Sequence, residues 1–391
     1  MSRDRRVSAT ARDDVIVVGG GVIGISIAES LAGEGFRVRV LEAEAVGSGA
    51  SGAAAGMLAP LSEASSDGPL LRLGLESLAR FDSLCSRLKD ETGIDPELEA
   101  SGLMRLARSE SEWAALETKR MRLAARQEPD EWPLHPVLEW IDAQTLRSEE
   151  PELCDGILGA LHSPLECHLR PPLLVRALEA SARARGVEVE TGVRAMRLRH
   201  EGDRIVGVES SAGRRDAGSV IVAAGPWSPG LFEASSIGGG RLAVEPVRGQ
   251  ILSLGAPLPA TQSIIWTEDV YLVPKRDGSW IVGATEERVG FDRRVTAAGI
   301  RWLLDRAMAV FPALRDASFG RAWAGLRPVS RDGTPWIGRV PGWKNLYLAA
   351  GHGRNGVLLA PITAERIRDD LLGKSHMLAS DPFSPSRAFD T

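Results

Sequence analysis

The sequence predicts an α/β + α+β fold: a discontinuous Rossmann-like domain, with a second domain on a mostly antiparallel sheet inserted into it twice. Three observations carry this. A strand, glycine turn, helix and strand fill residues 14–42. Strand-and-helix segments of the same kind return near 165–235 and towards the end of the chain. From about 241 to 283 short apolar runs alternate with polar positions, the pattern of antiparallel strands.

The first unit is the most specific. Asp14-Val-Ile-Val-Val leads into Gly19-Gly-Gly21-Val22-Ile23-Gly24, a helical run follows, and Val38–Leu41 ends in Glu42. Gly19, Gly21 and Gly24 fill the places of Gly-x-Gly-x-x-Gly. The first permits the turn, the second lets backbone approach a pyrophosphate, and the third lets helix and strand lie close. A hexapeptide alone is weak; strand, helix and an acid about 20 residues on make it a dinucleotide signature. The pyrophosphate would rest on the helix N-terminus. Glu42 would accept from a ribose hydroxyl, which favours an unphosphorylated ribose. The small residues Gly47–Met57 come next, where backbone can lie against something flat or large; the alternative is a linker.

Residues 69–92 carry Leu71, Leu75, Leu78, Phe81, Leu84 and Leu88 at helical spacing and predict one long helix. Residues 111–127 predict another. Pro129, Pro133 and Pro136 mark a loop. Pro171–Arg185 reads as a helix opened by proline. Strands are predicted at Val187–Thr191, Arg194–His200 and Arg204–Ser210, then from Ser219 to a glycine turn at Gly225. Further strands fall at Leu242–Val247, Ile251–Leu254, Ile264–Trp266, Tyr271–Pro274 and Trp280–Val282. Residues 298–311 are helical, Ala322–Leu326 short and extended, Leu346–Ala350 a buried strand. A last helix is predicted from Gly356 to Leu372, and residues 375–391 as a loose tail. The first domain is thus expected at 1–88, 165–235 and 323–391, the second at 89–164 and 236–322.

The chain has 391 residues, 43% hydrophobic and 25% charged, enough for a large core in about two domains. A net charge of −5 gives no bulk attraction to nucleic acid or anionic lipid. Arg3, Arg5, Arg6 and Arg12 read as a solvated tail. A cleavable leader is rejected, because its apolar stretch would be the nucleotide turn itself. There is no run of 18 apolar residues, so no spanning helix is expected. Cys85, Cys154 and Cys167 have no C-x-x-C spacing and the six histidines form no metal box, which predicts reduced thiols in a cytoplasmic protein and no metal. Ten tryptophans stand against two tyrosines; Trp266, Trp280, Trp302 and Trp323 fall in the second domain.

Three patterns after residue 245 carry chemistry: Tyr271-Leu-Val-Pro with Ile281-Val-Gly-Ala-Thr285; Ala322-Trp-Ala-Gly-Leu-Arg327-Pro with Asp332-Gly-Thr-Pro; and Gly351-His-Gly-Arg-Asn-Gly356. With these, and with Ala53-Ala-Ala-Gly-Met-Leu58, the chain resembles the D-amino acid oxidase-like family of FAD enzymes, and within it the glycine oxidases of thiamine biosynthesis. The likeness covers most of residues 14–372.

The resemblance implies a glutathione-reductase-type FAD-binding domain and noncovalent FAD. No cysteine follows Cys167, where some relatives attach flavin. Val22 and Ile23 would lie at the pyrophosphate, Glu42 and Ala43 at the adenosine ribose, and Val193 near adenine. Ala50, Ser51, Ala55, Gly56 and Met57 would run along ribityl chain and flavin. His352, Gly353, Arg354, Asn355, Gly356, Val357 and Leu358 would pass the pyrimidine edge, at a helix N-terminus that favours negative charge. Arg327 and Tyr271 match the family's ligands for the substrate carboxylate; a guanidinium fork suits that task. Arg354 either closes the site on the substrate or is a structural arginine. Glu286 stands where an apolar residue facing the pocket is expected, so it either meets the substrate or points to solvent. His352 is not needed as a base if the α-hydrogen leaves as hydride. The amine must then be neutral, so activity should rise towards alkaline pH.

The implied reaction is oxidative deamination of glycine or a small amino acid or amine, giving an imine or keto acid, ammonia and, with molecular oxygen, hydrogen peroxide. A homo-oligomer, a tetramer, is implied too. The rivals are a D-amino acid or proline-type dehydrogenase that passes electrons to a quinone, a flavin-bound accessory protein without turnover, and a nicotinamide enzyme.

Overall fold

The protein is described by a computed structural model covering residues 13–64, 68–125, 134, 137–238, 242–255, 263–374 and 381–389. Two eight-stranded sheets organise it. In the first, the strands Leu346–Ala350, Gly213–Val222, Asp13–Val18, Val38–Glu42 and Glu188–Thr191 lie parallel in that order. Trp336–Arg339 closes one edge antiparallel, and a hairpin of Ala195–Glu201 and Arg204–Ser210 extends from Gly213–Val222. These strands are near-continuous apolar runs because both faces are covered; Val15, Ile16, Val17 and Val220–Val222 have no exposed surface. The helices Val22–Gly33, Pro171–Ala184 and Ala360–Leu371 cover one face, while Leu231, Phe232 and Ala388 pack on the other.

The second sheet runs Ser318–Ser330, Val244–Gly255, Ser279–Gly283, Tyr271–Pro274, Ile264–Trp266, Leu103–Ala107, Gly159–Ser163, Glu139–Asp142. All neighbours are antiparallel except Ile264–Trp266 with Leu103–Ala107. Helix Ala297–Val310 packs its Leu303, Ala307 and Val310 against one face. The other face, with Ile251, Tyr271 and Trp266, meets Ala55 and Ala59 of the small-residue segment.

Several expectations are corrected. The helix predicted over 69–92 is two, Pro69–Leu78 and Phe81–Thr92, joined by a turn at Ala79 and Arg80. The first half packs near Leu358 and the last helix, the second against Pro171–Ala184, and one straight rod cannot serve both. The two strands expected at 242–254 are one, Val244–Gly255. Arg248 and Gln250, which read as a break, are buried and find partners far away. Arg248 pairs with Glu287 and Asp292; Gln250 bonds to Glu287 and Thr296. The short segment at 322–326 is part of the thirteen-residue strand Ser318–Ser330, paired along Val244–Gly255. The boundary expected at 322/323 therefore falls inside a strand, and that at 88/89 inside a helix. The last helix begins at Ala360, after a 3-10 turn over Gly353–Asn355, not at Gly356. Residues 381–389 are not loose: Phe383 is buried, its carbonyl accepts from Ile337, and Arg387 pairs with Asp332. The basic opening and the proline residues at 129, 133 and 136 lie outside the described residues.

Candidate active site

The parallel strands end together, and the turns after four of them line one cavity of about 700 Å³. Gly19–Ile23 follow the first strand, Glu42 and Ala43 end the second, Ala223–Trp227 follow the third, and His352–Val357 follow Leu346–Ala350. This is where an open α/β sheet places its ligand. The small-residue segment and the second sheet's inner face close the other side with Ala50, Ser51, Ala55, Gly56, Met57, Tyr271 and Arg327.

The glycine turn takes the form its spacing predicts. Gly19 has φ +108, and a Cβ there would strike the Ala223 carbonyl oxygen. A Cβ on Gly24 would strike the Gly19 carbonyl oxygen, so the third glycine serves helix packing and does not line the cavity. The first intrahelical bond is Ile25 N–H to Gly21 O at 2.9 Å. The preceding N–H groups are therefore the orphan donors of a helix start. Ser51 Oγ accepts the one from Val22 at 2.9 Å. Glu42 is fixed by two backbone donors, Gly20 N–H to Oε2 at 2.6 Å and Glu44 N–H to Oε1 at 2.8 Å. Each oxygen keeps a second lone pair for a ribose hydroxyl. A strand end, a helix start and a walled run of glycine and alanine fit an extended dinucleotide with a flat ring.

Against the small-residue segment, Lys275 is nine-tenths buried. Its Nζ donates to Ala55 O and Leu169 O, both at 2.9 Å, tying down the backbone that leads into Gly56 and Met57. Burial pushes this amine down to about 7. Gly56 has φ +86 and lies against Leu169 O, so no side chain fits there.

Tyr271 and Arg327 are brought together from separate strands. The Tyr271 phenol is buried, which pushes it above its usual value while the nearby Arg327 and Arg354 guanidiniums pull the other way. Arg327 Nη1 donates to Thr285 O at 3.0 Å, and among the described residues no carboxylate pairs with it. Arg354 differs: its Nε lies 3.2 and 3.1 Å from the two oxygens of Glu63. Its guanidinium also sits 5.3 Å from the Trp266 ring centroid, whose ring carries Arg105 at 4.5 Å. His352 lines the cavity, but its ring is buried and Nε2 lies 3.0 Å from Thr363 Oγ1. Burial pushes it down to about 3, which makes it a poor proton acceptor.

Besides Gly24, three expected site residues do not line the cavity. Val193 packs beneath it, its N–H bonded to Glu42 O at 2.9 Å, while Arg194, Ala195 and Met196 take the lining position. Leu358 is core, its carbonyl accepting from Ser77 Oγ at 2.5 Å. Glu286 is exposed outside the lining, although its charge is felt at Arg354. In turn, sequence reasoning missed Glu63, Trp227, Phe291 and Arg293, all of which line it. Arg293 reaches across from the second domain to Glu44 at 2.8 and 3.0 Å. None of these four stands in a spaced motif, so no local signal marked them.

The comparisons agree with this geometry. The family described as DAO, FAD dependent oxidoreductase, matches residues 14–369. The glycine oxidase of Geobacillus kaustophilus is 35% identical over 380 residues, spanning 97% of this chain and 98% of that protein. The bifunctional protein ThiO/ThiG of Synechocystis sp. is 33% identical over 97% of this chain, which spans 54% of that longer protein. The crystal structure of the glycine oxidase from Geobacillus kaustophilus superposes with a TM-score of 0.89 at 34% identity, covering 96% of this chain and 99% of that one. With its glycine turn, its sheet-end cavity and a match over almost its whole length, the chain belongs to the DAO family of FAD-dependent oxidoreductases and is an FAD-dependent amino acid oxidase.

Proposed function

We propose that the protein oxidises glycine or a comparably small amino acid or amine, with molecular oxygen as the acceptor, and that it serves the thiazole branch of thiamine biosynthesis. The observation that carries the substrate class is Arg327: a guanidinium without a carboxylate partner among the described residues, beside the buried Tyr271 hydroxyl on one cavity wall. Arg327 and Tyr271 would hold the substrate carboxylate, leaving the α-carbon turned towards the ring end between Ala55–Met57 and His352–Val357. Bound FAD supplies the hydride acceptor. The chain's part is placement and exclusion of water. With His352 bonded to Thr363 and held neutral, no side chain is assigned as base; the amine enters neutral and the imine hydrolyses after release. The likeness to glycine oxidases and to the ThiO/ThiG protein supports substrate and pathway.

The cofactor would be noncovalent, with Gly19–Ile23 at the pyrophosphate, Glu42 at the ribose, and residues 50–57 and 352–357 at the ring. The two sheets are the natural dividing line between the domains, which moves Ser318–Ser330 into the substrate domain. Among the described residues no helix is long and apolar enough to cross a membrane. A cytoplasmic homotetramer is part of this proposal.

An amine panel tests it. Glycine, sarcosine, D-alanine and L-proline are mixed anaerobically with the holoenzyme, flavin bleaching is followed, and air is then admitted. Bleaching by glycine and rapid recovery in air are expected. Bleaching only by L-proline, with recovery only on adding a quinone, overturns the reading.

A further inference from the structure

Two of the arginines that line the cavity, Arg327 and Arg354, are in unlike states. Arg327 is open, while Arg354 is matched by Glu63, whose side chain is 15% exposed against 36% for Arg354. Glu63 is the last residue of the short helix Pro60–Glu63, and the residue before it is pinned from three sides. Ser62 N–H and Oγ donate to the buried Glu166, at 2.7 and 2.5 Å. Ser62 O accepts from Lys119 Nζ at 2.9 Å and from Arg105 Nη1 at 3.4 Å. A carboxylate on a mobile loop could swing away from an incoming anion; one on a helix anchored this way stays aimed at Arg354. The Trp266 ring also lies against the Arg354 guanidinium, its centroid 5.3 Å away.

We propose that Arg354 is a second anion subsite in the same cavity, kept closed by Glu63, and that this pair limits the enzyme to substrates with a single carboxylate. The inference rests on the assignment of Arg327 to the first carboxylate. A ligand with a second carboxylate would reach Arg354 only by placing its charge beside Glu63, where like charges oppose binding in a partly dry site. Without the Glu63 charge, Arg354 becomes a fork able to take that carboxylate by charge-assisted hydrogen bonds. Dicarboxylic amines such as iminodiacetate are the substrate class so excluded.

The test uses holoenzyme and two probes that are not oxidised, acetate and malonate, read by their perturbation of the flavin absorbance. In Glu63→Gln the malonate-to-acetate affinity ratio is expected to rise about tenfold or more over wild type, and Glu63→Asp to keep the wild-type ratio. In Arg354→Met, where Glu63 is left unmatched, the ratio is expected to fall about threefold or more. Either flavin-loaded variant decides the matter alone, so poor folding of one does not spare the proposal. An unchanged ratio in Glu63→Gln or in Arg354→Met overturns it. Failure of the glycine reading is separately visible, since glycine would then not bleach the flavin whatever the two anions do.

Discussion

Ser51 Oγ lies 2.9 Å from the Val22 N–H, so a residue 29 positions later in the chain caps the first turn of the nucleotide-binding helix. The bond locks the small-residue segment to the glycine turn, and both line the same cavity. The segments proposed for the pyrophosphate end and the ring end of the cofactor are thereby held in one register.

Ser51→Ala removes that cap, a loss of about 1 kcal/mol for such a bond. The Kd for FAD is expected to rise about fivefold, measured by recovery of flavin fluorescence on dilution, with kcat at saturating FAD nearly unchanged. An unaltered Kd would mean that the bond does not organise the bound state.

Gly249→Ala offers a way to move Arg327 without deleting it. A Cβ at Gly249 would lie 2.5–2.6 Å from the Arg327 guanidinium, which must shift. Because the displaced group is the end of a flexible side chain, Tm should hold. KM for glycine should rise about tenfold, as small misplacements of a positioning group do. Steady-state kinetics with a parallel melting curve check both halves.

Glu166 predicts a pH dependence. Burial pushes its carboxyl from 4.5 up to about 7, against the pull of the Ser62 donors and Lys119. Between these values the folded chain holds more protons than the unfolded one, so this residue's contribution to stability is lost as pH rises from 4.5 through 7. Glu166→Gln cannot titrate. Relative to wild type it should therefore gain stability between pH 4.5 and 8, by up to about 3 kcal/mol. His168 and His352, both pushed by burial from 6.5 down to about 3, act in the opposite sense; their contribution is lost as pH falls below 6.5. Melting temperatures of the two proteins at pH 5 and 8 give the Glu166 part by difference.

The nucleotide half of the fold was legible because its signals are local. Gly19, Gly24 and Glu42 stand at fixed spacing, and parallel strands such as Val15–Val18 write their burial as unbroken apolar runs. Reading stopped where partners are distant. Arg248 and Gln250 look like a strand break, yet they are buried because Glu287, Asp292 and Thr296 meet them from 37 to 46 residues away. Glu63 and Arg354 meet in the cavity across 291 positions of sequence. Glu286, one residue from Glu287, drew notice for its motif position, yet it lies exposed, past the end of the strand Ser279–Gly283 and outside the cavity lining. Arg327 and Tyr271, singled out by motif position, both sit on regular strands, where side chains alternate between faces, and both line the cavity.

The central claim is that Arg327 binds the substrate carboxylate, and anaerobic reduction of the holoenzyme flavin by glycine in Arg327→Ala measures it most directly. The loss of one charge-assisted pair predicts a second-order reduction rate constant lower by about 2–4 kcal/mol, or roughly 30- to 800-fold, with FAD still bound. A rate constant equal to wild type, in a variant that keeps its flavin, would contradict it.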